Sequence, residues 1–161
     1  MATPLAFTAS YSHSVDAVRA AYSDEQYWKA RIAEVGGPGA RLDAFAVDGD
    51  NVRIQLVQSI PADQLPPAIT AVRPGDLVIP RTENYTGTEG TFEAHVDGAP
   101  AIVRGTVTLS PQDSGAVATV NGSIEVKIPL FGGKIEAAIS EHLLELLANE
   151  ATFTEQWLTT K

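Results

Sequence analysis

The chain has 161 residues, with 20 acidic against 11 basic side chains for a formal net charge of −9, and no cysteine. This length suits one domain, since domains most often hold about 100–150 residues. The absence of cysteine excludes disulfides, thiolate catalysis, iron–sulfur clusters and cysteine zinc sites. The acidic balance, with no two basic residues adjacent, speaks against nucleic-acid binding and against adhesion to an anionic membrane by charge.

A hydrophobic fraction of 44% provides for a sizeable core, and 13 glycines with 10 prolines point to many turns. Residues 1–10 hold no basic region and no apolar run of signal-peptide length, and nowhere do 18 apolar residues stand together. A cytoplasmic protein without stable membrane association is expected.

Leu5, Phe7, Ala9 and Tyr11 fall on alternate positions, which predicts a half-buried strand over 5–11. Ser14 precedes Val15, Val18 and Tyr22 as an N-cap to a short helix over 14–22. Ser23-Asp24-Glu25-Gln26 matches a capping box. The helix it opens, 24–35, carries Trp28, Ile32 and Val35 on one side and ends at Gly36-Gly37-Pro38-Gly39. From there to residue 129 the period is mostly two, giving strands over 41–48, 51–60, 76–86, 90–97, 101–110 and 115–128. Turn residues separate most of them, which predicts an antiparallel meander. The exception is 61–75, a proline-rich connection holding a short helix around 65–72, with Leu65, Ile69 and Val72 as its apolar middle. After Gly132 and Gly133, residues 134–158 contain neither Gly nor Pro. Ile135, Ile139, Leu143, Leu146, Leu147, Phe153 and Trp157 share one side of the helix predicted over 133–158, opposite Glu141, Glu145, Asn149 and Thr152. An apolar face about 37 Å long needs a whole sheet to cover it.

One strand, two short helices, a six-strand meander and a long final helix is the element order of the START-like (helix-grip, SRPBCC-type) fold. That fold is α+β, a seven-stranded curved antiparallel sheet around a long C-terminal helix. Six stretches sharpen the likeness: Tyr27-Trp28-Lys29-Ala30-Arg31, Pro74-Gly75-Asp76-Leu77, Arg81-Thr82-Glu83, Val126-Lys127-Ile128-Pro129-Leu130, Gly132-Gly133-Lys134-Ile135-Glu136, and Glu150 to Trp157. Together they closely resemble an uncharacterised actinobacterial family of START-like proteins, over about residues 5–158. The resemblance implies an apolar cavity under the long helix, but no ligand, because this fold serves carriers, cyclases, receptors and co-chaperones alike.

Two polar residues interrupt the apolar side of the last helix: Glu150, between Leu143 and Trp157 on the helical wheel, and His142 at its edge near Ile135. Either they face the cavity and fix a polar group of a ligand, or they serve structure, Glu150 by pairing with an arginine of the sheet or with the first helices. Arg81 and Glu83 share a strand face with Leu77, Ile79 and Tyr85. If Leu77 and Ile79 point inward, Arg81 and Glu83 begin inside the cavity and finish near its mouth; the alternatives are that an inward Arg81 grips a carboxylate or phosphate head, or that the two pair with each other or with Glu93 and Arg104. Glu93, His95 and Asp97 on alternate positions read as a solvated face rather than a metal site, since the three histidines form no HxH or HExxH pattern.

No nucleophile elbow, P-loop or dinucleotide fingerprint occurs. No catalytic residue, cofactor or metal is expected, and no protein partner is indicated. The expected function is to hold a small hydrophobic ligand (lipid, isoprenoid or polyketide-like) as carrier or sensor. The residues expected at the ligand are Tyr11, Trp28, Leu56, Ile79, Arg81 and Phe92 from the first half of the chain, and Ile139, His142, Leu143, Leu146, Glu150 and Phe153 from the final helix. Segments 36–39 and 61–75 are expected as gates. The alternatives are a cyclase- or dehydratase-type enzyme using His142, Glu150 or Arg81, and a protein-interaction module with a closed core.

Overall fold

The computed structural model of the chain describes residues 2–65, 67–72 and 74–160. Strand β1 (Thr3–Tyr11) is followed by helices α1 (Val15–Tyr22) and α2 (Glu25–Val35). Strands β2 (Arg41–Asp48) and β3 (Asn51–Ile60) come next, then helix α3 (Pro67–Val72). Strands β4 (Leu77–Thr86), β5 (Glu89–His95), β6 (Ala101–Gln112) and β7 (Gly115–Val126) lead to α4 (Gly132–Thr159). All seven strands form one antiparallel sheet in the order β1-β7-β6-β5-β4-β3-β2, so the meander runs from one edge and β1 closes the other beside β7. This is the helix-grip fold.

Local chemistry sets most boundaries. Ser14 caps α1 by accepting from the Ala17 amide at 3.1 Å. The cap of α2 is Asp24, which accepts from the Gln26 amide at 2.9 Å, and not Ser23, which instead closes α1. The carboxylate of Asp24 also complements the positive end of the helix dipole, and that is the physical reason it displaces the serine of the apparent capping box. Two-residue turns join Asp48 to Asn51 and Thr86 to Glu89. The last strand stops at Val126, two residues earlier than expected, because that amide donates to Glu136 at 2.8 Å and the Lys127 amide turns to Pro100. The connection expected over 61–75 holds a 3₁₀ turn over Ala62–Gln64 and then α3. Ile69 is buried there, whereas Pro66, Arg73 and the side chain of Val72 lie outside what is described.

Two glycines let aromatic rings lie on the sheet. Gly90 sits opposite Tyr85 and Gly105 opposite Phe92, and a β-carbon at either position would come within 2.4 Å and 2.8 Å of the facing ring. Glu136 ties the start of α4 to both neighbouring strands, accepting from the Thr3 hydroxyl at 2.7 Å as well as from Val126.

The core is split along α4. Tyr22, Tyr27, Trp28 and Ile32 of α1 and α2 pack with Ile54, Leu56 and Tyr85 of the sheet and with Phe153 and Leu158 near the helix C-terminus. Ile60, Ile69, Leu77, Ala101 and Val126 surround Ile135 near its N-terminus. Between the two clusters Ile139, Leu143, Leu146 and Leu147 are only half-buried, and Leu144 is exposed.

Candidate ligand-binding site

The half-buried stretch of α4 faces a cavity of about 310 Å³ enclosed between the helix and the concave side of the sheet. That volume lies at the small end of ligand pockets, which run to about 300–1,000 Å³. Of the residues expected at a ligand, Tyr11, Ile79, Arg81 and Phe92 line it from the sheet. Ile139, His142, Leu143, Leu146 and Glu150 line it from α4. Trp28, Leu56 and Phe153 do not: their side chains point into the packed cluster at the C-terminal end of α4, where Trp28 is wholly buried and donates its indole N–H to the Tyr22 carbonyl at 2.8 Å. The rim is made by exposed lining residues, among them Gly37, Pro38, Gln64, Glu145 and Asn149.

Both segments expected as gates reach this rim, but the glycine loop is pinned. Ser59 donates its amide to Gly36 at 2.9 Å and its hydroxyl to Pro38. Gly37 adopts φ +90°, and a β-carbon there would lie 2.0 Å from the Ser59 carbonyl oxygen.

At the deep end four buried charges meet. Glu150 receives Arg31 from α2 at 2.6 Å and Arg81 from β4 at 2.9 Å, with Gln58 of β3 donating at 3.1 Å. Arg81 also donates to the Gln58 side-chain oxygen at 3.2 Å, and its Nε lies 2.8 Å from Glu83, without hydrogen-bond alignment. Tyr85 donates its hydroxyl to the other oxygen of Glu83. Arg31 reaches the Tyr27 hydroxyl at 3.3 Å and stacks over Trp28, its guanidinium carbon 4.6 Å from the ring centre. Two guanidiniums thus face two carboxylates, and their charges cancel.

This corrects the expected course of β4. Glu83 is only 1% exposed and lies at the deep end, not near the mouth, because Arg81 and the Tyr85 hydroxyl hold it there. Glu150 and Arg81 line the cavity and also pair with each other, and Glu150 pairs in addition with Arg31 of the first helices.

The electrostatics follow from burial and pairing. Desolvation would raise the Glu150 carboxyl, but Arg31, Arg81 and the Gln58 amide together hold it below its usual range. Burial alone would lower the two guanidiniums, and Glu150 and Glu83, with the other groups around them, together more than reverse this in both. Desolvation pushes all four tyrosines, Tyr11, Tyr22, Tyr27 and Tyr85, above the ordinary phenol range. No cluster of three or more potential metal ligands occurs among the described residues.

Of the paired network, sequence reasoning left Arg31, Gln58, Tyr27 and Thr154 unassigned. Two of these carried a signal. Arg31 follows Trp28 by three residues, on the buried side of its helix, and Gln58 continues the inward alternation Val52, Ile54, Leu56. A charge or amide at a core position announces a buried partner. Thr154 gave none; it accepts or shares a proton with Tyr27 at 2.5 Å and donates back to the Glu150 carbonyl.

Comparison with known proteins matches this architecture. A family model described as "Protein of unknown function (DUF2505)" matches residues 6–158. The uncharacterized protein Rv0481c of Mycobacterium tuberculosis is 34% identical over 164 residues, covering 94% of each chain. The crystal structure of TTHA0849 from Thermus thermophilus superposes with a TM-score of 0.67 at 14% identity, covering 98% of both chains. The di-domain ARO/CYC StfQ from the steffimycin biosynthetic pathway gives 0.58 at 10% identity, covering 98% of this chain and 50% of that one. None of the helices described is long and apolar enough to cross a membrane. The chain belongs to the DUF2505 family, carried on a helix-grip fold.

Proposed function

We propose that this protein binds a small hydrophobic molecule, a lipid, isoprenoid or polyketide-like compound, in the cavity beneath α4, as a carrier or sensor. One observation carries the reading: Ile139, Leu143 and Leu146 keep apolar surface turned into an unfilled volume while the core is packed at both ends of the same helix. Apolar surface held out of a core is costly at about 25 cal/mol per Å², and a ligand removes that cost. Burying about 300 Å² of ligand surface would contribute roughly 7 kcal/mol, less the cost of immobilisation. StfQ, with the same fold, belongs to a biosynthetic pathway for a small molecule, which supports a small-molecule role.

The site favours holding over proton transfer by carboxylates. Glu83 and Glu150 are each bound by an arginine, so neither stands ready as a general acid or base. The unfilled cavity also weighs against an interaction module with a closed core.

The test is native mass spectrometry of protein purified from an actinobacterial host, followed by solvent extraction. A stoichiometric low-mass adduct is expected. An apo mass alone, with no thermal stabilisation by any of a panel of neutral lipids, isoprenoids and polyketides, would contradict the proposal.

A further inference from the structure

Given that binding reading, on which it rests, we infer that the cavity selects uncharged, oxygen-bearing hydrophobes (alcohols, ketones or phenols) and rejects carboxylates and phosphate esters.

The first ground is charge parity. An apolar pocket that admits an anion needs a cation free to meet it. Two guanidiniums line this cavity, Arg31 and Arg81, and both are committed to acids of the protein itself. Arg81 meets Glu83 through Nε, Glu150 and Gln58 through Nη1, and Glu150 again through Nη2 at 3.3 Å. Arg31 meets Glu150 through Nη2 and the Tyr27 hydroxyl through Nη1. A ligand carboxylate at this end would add a third negative charge beside two that already neutralise the arginines. At the rim the exposed Glu145 faces an incoming anion, on a chain whose formal charge is −9.

The second ground is which polar groups remain unused. Tyr22, at the deep end with its ring 4.8 Å from that of Tyr85, has no hydrogen-bond partner for its hydroxyl among the described residues, yet it lines the cavity. Desolvation holds this phenol protonated, hence a donor. His142, on the α4 wall, likewise has no partner among the described residues. Eight residues separate His142 from Glu150, about 12 Å along the helix axis. The two unused groups, a phenol and an imidazole, are hydrogen-bonding partners suited to a hydroxyl or a carbonyl. Polar groups left unpaired in a pocket discriminate strongly for the ligand that satisfies them.

The experiment is displacement of the neutral fluorophore N-phenyl-1-naphthylamine from the whole protein by 1-decanol and by decanoate. It is run at pH 8, above the range in which imidazoles ordinarily charge. The two competitors share a chain and differ in charge. Decanol is expected to displace the probe with an affinity at least tenfold higher than decanoate, because the acid must either enter charged or take up a proton far above its own pKa. Tyr22→Phe, which keeps the ring, is expected to weaken decanol about three- to tenfold, the effect of one hydrogen bond, and to leave decanoate unchanged. Equal or tighter binding of decanoate overturns the inference, as does displacement by neither compound while the fluorophore itself still binds. If the fluorophore does not enter the wild-type protein, the binding reading fails and the inference falls with it. The ratio is read on wild-type protein, so it stands even if Tyr22→Phe does not fold.

Discussion

Glu150→Gln removes one negative charge from the deep end of the cavity while keeping the size of the side chain. In the wild-type protein Glu150 is the partner of both Arg31 and Arg81, and the three side chains are 6%, 7% and 10% exposed, out of reach of effective screening. After the substitution two buried guanidiniums share Glu83 alone, leaving one positive charge uncompensated. Breaking a buried pair by removing one partner costs about 3–5 kcal/mol. In a chain of this length each kcal/mol lowers Tm by roughly 2–4 °C, so a loss of about 6–20 °C is expected. Differential scanning calorimetry with urea titration at pH 7 measures it. Arg31→Met combined with Glu150→Gln restores charge parity, since Arg81 and Glu83 then remain as a pair. The double variant is expected to be more stable than Glu150→Gln alone, with a coupling of about 0.5–3 kcal/mol. A Tm for Glu150→Gln within 2 °C of wild type, or a double variant no more stable than that single one, would refute the account of Glu150 as the acid that balances this cluster.

Three further outcomes follow from the same geometry. The four tyrosines have phenol pKa values raised by folding, so the stability they contribute is complete below the unfolded value near 10 and is lost as pH rises beyond it. Absorbance at 295 nm and circular dichroism should therefore change together above pH 10, and four ordinary titrations with the fold intact would contradict this. Glu136, Glu150 and Glu155 are lowered instead: Glu136 chiefly by the Val126 amide, Glu150 by Arg31 and Arg81 against its burial, and Glu155 by the Ser12 hydroxyl. Their contribution is full above the ordinary carboxylate range and is lost as pH falls through and below about 4.5; urea midpoints should be level from pH 6 to 7 and fall from pH 5 to 3. Gly37→Ala places a β-carbon on the Ser59 carbonyl at φ +90° and should cost about 1–3 kcal/mol, read as a lower urea midpoint.

The fold was legible because its signals are long-ranged patterns. The alternation of Leu5, Phe7, Ala9 and Tyr11, the paired turn residues and the long apolar side of α4 each report burial over many residues, and chance rarely reproduces them together. The site was less legible, because facing inward and facing the cavity give the same periodicity. Trp28 and Ile139 both lie on apolar helix sides, yet one is sealed in the core and the other lines the void, and only the packing of α1 and α2 against the C-terminal end of α4 separates them. Glu150 stood out as a charge on an apolar side. Its two arginines come from a helix and a strand far apart in sequence, and pairing of that kind has no local signature. The placement of Glu83 failed for the same reason: strand direction gives the order of side chains along a face but not which end of the face is closed. Glu136 was invisible, since the groups it binds, Thr3 and the Val126 amide, are set by where two strands end.

The most direct test of the cavity as a binding site is a fluorescence titration of N-phenyl-1-naphthylamine into wild-type protein and into Leu146→Trp. Leu146 lines the cavity and is half-buried, so the indole occupies ligand space with little repacking of the core. Saturable uptake at one molecule per chain is expected in wild type, weakened at least tenfold in the variant, with both proteins showing the same circular dichroism and cooperative unfolding. No saturable uptake by wild type, or equal uptake by both, would contradict the claim that this cavity is where the protein holds its ligand.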